Sequence, residues 1–93
     1  MIAPKAPQSL AHIAARVDTR LRTLLEFEHA RWIEIDEDLG PPLAEISRLV
    51  LTGGKRLRPA FCTWGFVGAG GDATDQRLVD ACAALELLHA CAL

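Results

Sequence analysis

The chain has 93 residues, which is room for one small domain and not for two. Half of it is hydrophobic (51%) but only 5% is aromatic, so its apolar side chains are chiefly Ala, Leu, Ile and Val, a composition suited to packed helices. Ten basic against twelve acidic residues give a formal charge of −2, which excludes a general attraction to nucleic acid or to an anionic membrane and confines any basic site to a local cluster.

Met1 to Gln8 holds Pro4 and Pro7 and no long apolar stretch, so it reads as irregular and not as a secretory signal. Arg16, Arg20 and Arg22 against the single acid Asp18 give only a faint likeness to a transit peptide. Ser9 is placed to cap a first helix. Its stripe is Leu10, Ile13, Val17, Leu21, Leu24, Leu25, Trp32, Ile35 and Leu39, at steps of three and four. The helix is expected to end near Asp38, because Gly40-Pro41-Pro42 cannot continue it. The two prolines suit the first positions of a second helix, striped by Leu43, Ile46, Leu49 and Val50 and ended by Gly53-Gly54. A third helix opens at about Lys55 to Arg58, because Pro59 is tolerated only in a first turn. It runs to Gly68, and its apolar residues on all sides predict burial. Asp72 is the expected cap of a fourth helix. From Ala81 to Leu93 its only polar side chains are Glu86 and His89, and it carries no stop signal, as though cut in mid-helix. No run reaches the roughly 18 apolar residues of a membrane span. Trp32 and Trp64 are expected in the core, and His12 and His29 as ordinary helix residues.

Cys62, Cys82 and Cys91 are odd in number and not closely paired in sequence. On one helix Cys82 and Cys91 would lie about 13 Å apart, too far to bridge. They are read as reduced, buried thiols of a cytoplasmic protein.

The sharpest feature is Gly53-Gly54-Lys55-Arg56-Leu57-Arg58-Pro59. Two glycines permit a tight turn and close approach to a ligand. A helix start follows, with free N–H groups, and three cations share that turn. Lys55 and Arg58, at i and i+3 in a helix, would share a face. The set suits a phosphate or diphosphate, and reads equally as a solvated basic helix start. The spacing is neither a Walker loop nor a Rossmann fingerprint. The second feature is Glu86-Leu87-Leu88-His89, whose acid and His share a face at i, i+3 and would serve equally as a hydrogen-bonded core pair.

Gly-Gly-Lys-Arg-x-Arg-Pro followed about thirty residues later by Leu-Glu-Leu-Leu-His-Ala resembles the opening of the trans-isoprenyl diphosphate synthases, the polyprenyl synthetase family. The resemblance covers roughly residues 41–93 and, more loosely, the first helix. It implies an all-α fold: residues 1–93 would be a four-helix N-terminal part of one isoprenoid synthase domain, with the fourth helix truncated. It implies a prenyltransferase that condenses isopentenyl diphosphate with an allylic diphosphate. By the resemblance Lys55, Arg58 and His89 bind isopentenyl diphosphate, while Arg56 matches a variable position and supports the local field. Mg2+ is implied as cofactor, held by aspartates of a DDxxD motif that would begin three residues beyond Leu93. Without those ligands the 93-residue chain is expected to be inactive, and none of its residues is assigned to catalysis or to a metal. Cys91 and Ala92 match the floor of the product pocket, and their small size implies geranylgeranyl diphosphate or a longer product. A homodimer is implied, or a heterodimer with a longer synthase in which this chain is a non-catalytic binding or regulatory subunit. Nucleic-acid binding through Lys55, Arg56 and Arg58 fits poorly with the acidic net charge.

Overall fold

A computed structural model of the chain describes residues 9–92; the irregular start expected over residues 1–8, and Leu93, lie outside the described residues. The described residues form an all-α fold of four helices: α1 Leu10–Ile35, α2 Gly40–Leu51, α3 Leu57–Gly68 and α4 Gln76–Ala92, with a single 3-10 turn at Glu37–Leu39.

The helix ends follow from local chemistry. The Ser9 hydroxyl accepts from the His12 amide and fixes the start of α1. The helix stops at Ile35, three residues before the expected end, because Asp36 turns extended and its side chain accepts from the Asp38 amide to start the 3-10 turn. Pro41 and Pro42 occupy the first turn of α2, where a missing N–H costs nothing. Asp75, and not Asp72, caps α4: its carboxylate accepts from the Arg77 amide, while Asp72 closes a turn on Thr74. The Asp72–Thr74 and Asp75–Arg77 hydrogen bonds hold both carboxyls below the ordinary aspartate value.

α1 is the spine and packs on each of the other three helices; α4 also packs on α2 and α3, whereas α2 and α3 do not pack on each other. Ile13, Val17 and Leu21 of α1 meet Val50 of α2, Ala60 of α3, and Leu78, Val79, Cys82 and Ala83 of α4 in one core. Each fully buried Leu or Val contributes about 1.5–3 kcal/mol. Ala60, Cys82 and Ala83 are small, which lets α3 and α4 approach closely.

Several sequence expectations about burial are corrected. The α1 stripe runs into the core only as far as Leu25; beyond it Trp32 is 38% and Ile35 65% exposed. Trp32 instead donates its indole N–H to Glu28 and lies under the Arg31 guanidinium. In α3 the buried residues are Pro59, Ala60 and Thr63, while Leu57, Phe61 and Phe66 are exposed, because α3 is covered only by α1 and α4. Of the three cysteines only Cys82 is buried; Cys62 is half-buried and Cys91 exposed, and all three are free thiols. No helix among the described residues is long and apolar enough to cross a membrane.

Candidate diphosphate site

The connection from α2 to α3 and the inner face of α4 enclose a pocket of about 200 Å3. Lys55, Arg58 and His89, the residues singled out by sequence, all line it. Leu49, Val50, Leu57 and Ala90 give it an apolar wall, and Gly53 and Gly54 form part of its rim. Lys55 and Arg58 are exposed, and among the described residues neither has an ion-pair or side-chain hydrogen-bond partner. His89 is half-buried, and its ring is likewise unpaired among the described residues. The start of α3 has no side-chain cap, and among the described residues the Leu57 and Arg58 amides have no acceptor; both residues line the pocket. Pro59, third in the helix, has no amide to leave unpaired.

The way the turn is built differs from the sequence reading in two respects. Lys55 precedes α3, so Lys55 and Arg58 do not share a helix face; they reach the same pocket through the reversal at Arg56. Neither Gly53 nor Gly54 takes a left-handed backbone. The left-handed residue is Arg56, with φ 58° and ψ 37°. A Cβ on Gly54 would meet nothing within 4 Å, and one on Gly53 would make ordinary contacts. The chain's own packing therefore does not require these glycines.

Arg56, expected only to support the local field, is the buried centre of the turn, 5% exposed. Its Nη1 donates to Glu86 Oε2 of α4 at 2.6 Å, its Nε to Asp18 Oδ1 of α1 at 2.9 Å, and its Nη2 to the Val50 carbonyl in the last turn of α2 at 2.8 Å. The last bond satisfies one of the carbonyls that every helix end leaves open. Glu86 is thus engaged by Arg56, and not by His89 as the i, i+3 spacing suggested. A sequence signal for this existed. Glu86 is the lone acid in an apolar helical run, and a buried carboxylate needs a cation.

Cys91 and Ala92 lie at exposed positions in the last turn of α4, outside the residues lining this pocket. Among the described residues no three His, Cys, Asp or Glu side chains gather where a cation would be held.

No protein-family model matches the chain, and no solved structure matches it.

Proposed function

We propose that this chain supplies the isopentenyl diphosphate half-site of a trans-prenyltransferase. The observation that carries the reading is the meeting of Lys55, Arg58 and His89 around one pocket, with both cations unpaired and the open end of α3 beside them. A diphosphate takes charge-assisted hydrogen bonds from Lys55, Arg58 and the helix amides, and His89 donates from the opposite wall. The apolar wall of Leu49, Val50, Leu57 and Ala90 suits a short branched alkenyl tail. In the complete enzyme the allylic partner, the Mg2+ and the aspartates that hold it complete the reaction. The small Cys91 and Ala92 accord with a geranylgeranyl or longer product, and a cytoplasmic homodimer is the setting.

Equilibrium dialysis with radiolabelled isopentenyl diphosphate tests the reading. Saturable binding is expected, weakened by about 10- to 100-fold on Lys55→Ala or Arg58→Ala, the contribution of one charge-assisted hydrogen bond. Binding indifferent to both substitutions overturns it. The exposure of Phe61 (65%) and Leu88 (67%) on α3 and α4 also favours a second reading, a non-catalytic subunit that docks on a longer synthase chain. Co-purification with such a chain at fixed stoichiometry supports that reading, and a chain that purifies alone as a soluble aggregate contradicts it.

A further inference from the structure

Glu86 poses a physical problem for an anion site. Its side chain is 6% exposed and it lines the same pocket as Lys55, Arg58 and His89. A carboxylate there opposes the approach of a phosphate unless its charge is already committed. It is committed to Arg56, and Arg56 is tied in turn to Asp18 and to the Val50 carbonyl. The three bonds run to three different helices, and α2 and α3 have no packing contact with each other that would otherwise fix the turn between them. The backbone of Arg56 is left-handed, a conformation that a residue with a side chain holds only when its surroundings impose it. Lys55 is its immediate neighbour and Arg58 lies two residues on, both unpaired. Any movement of Arg56 therefore moves both pocket cations.

We infer that Arg56 is a positioning residue, held by Glu86 and Asp18, which presents Lys55 and Arg58 to the diphosphate; this rests on reading the pocket as a diphosphate site. Glu86 and Asp18 thus assist anion binding although both are negative. That sets the sign of their effect against simple electrostatics. Removing an acid near an anion site strengthens binding if charge alone matters. Removing an acid that holds Arg56 weakens it.

The test is calorimetric titration of the full chain with inorganic diphosphate at low salt, with folding of each variant checked by far-UV circular dichroism. Glu86→Gln is expected to weaken binding about tenfold, the effect of one buried charge-assisted hydrogen bond. Asp18→Asn, whose partly exposed carboxylate lies outside the pocket, is expected to weaken it about threefold. Asp80→Asn removes the same charge from α4 at a carboxylate paired with Arg20 and serves as the control; it leaves affinity unchanged or slightly raised. Should Glu86→Gln fail to fold, Asp18→Asn carries the comparison. Equal or tighter binding by Glu86→Gln and Asp18→Asn overturns the positioning role while leaving the site itself standing. A wild-type chain that binds no diphosphate overturns both.

Discussion

Replacing Arg56 by Met removes a cation that serves two carboxylates and a helix-end carbonyl, and the structure sets the size of the loss. The Arg56 and Glu86 side chains are 4% and 6% exposed, so the substitution leaves Glu86 as an uncompensated charge in the interior. Breaking one partner of such a pair costs about 3–5 kcal/mol. Asp18, at 38%, is reached by water and adds little. Met, like Arg, bears a side chain in the left-handed conformation, so the backbone cost is common to both. At about 0.05–0.15 kcal/mol per residue the whole chain has a stability of about 5–14 kcal/mol, so about a fifth of it or more is at stake. Urea unfolding followed by far-UV circular dichroism is expected to show a large fall in midpoint. The double variant Arg56→Met/Glu86→Leu removes the stranded charge and is expected to return to within about 1–2 kcal/mol of the parent. A single variant that loses less than about 1 kcal/mol, or a double variant less stable than the single, refutes the reasoning.

Three further outcomes are expected. Leu21 is completely buried against the core, so Leu21→Ala should cost about 3–5 kcal/mol in the same urea experiment. Burial pushes the Cys82 thiol up, whereas Cys91 is exposed, so mass spectrometry after brief maleimide treatment should find Cys91 labelled first and Cys82 only on unfolding. The Arg20 hydrogen bond holds the Asp80 carboxyl below its ordinary 3.8, so the stabilisation of the α1–α4 contact is complete above that value and is lost as pH falls through the lower folded value. The urea midpoint measured at a series of pH values should therefore hold down to about pH 4 and fall slightly below it, and Asp80→Asn should flatten that fall.

The helices were legible because their punctuation is local. Pro41-Pro42, Gly53-Gly54 and Pro59 each forbid helix on one side of a boundary, and the observed ends fall within a few residues of those marks. Burial was less legible. Periodicity reports which face of α1 is apolar, but not that its burial fades beyond Leu25, nor that Leu57, Phe61 and Phe66 of α3 stay exposed. The membership of the pocket was legible as residues and not as geometry. Lys55, Arg58 and His89 do converge, yet by a left-handed turn at Arg56 that no helical spacing describes. Arg56 is indistinguishable in sequence from its basic neighbours; its role depends on Asp18, 38 residues away, and Glu86, 30 away.

We propose that the Lys55–Arg58–His89 pocket holds isopentenyl diphosphate. The deciding experiment is to titrate the 15N-labelled chain with that compound and follow its amide and His-ring resonances. Saturable shifts confined to residues 53–58 and to His89 are the expected result. Shifts that never saturate, or that gather instead around Arg16 and Arg20, which line a separate groove between α1 and α4, contradict it.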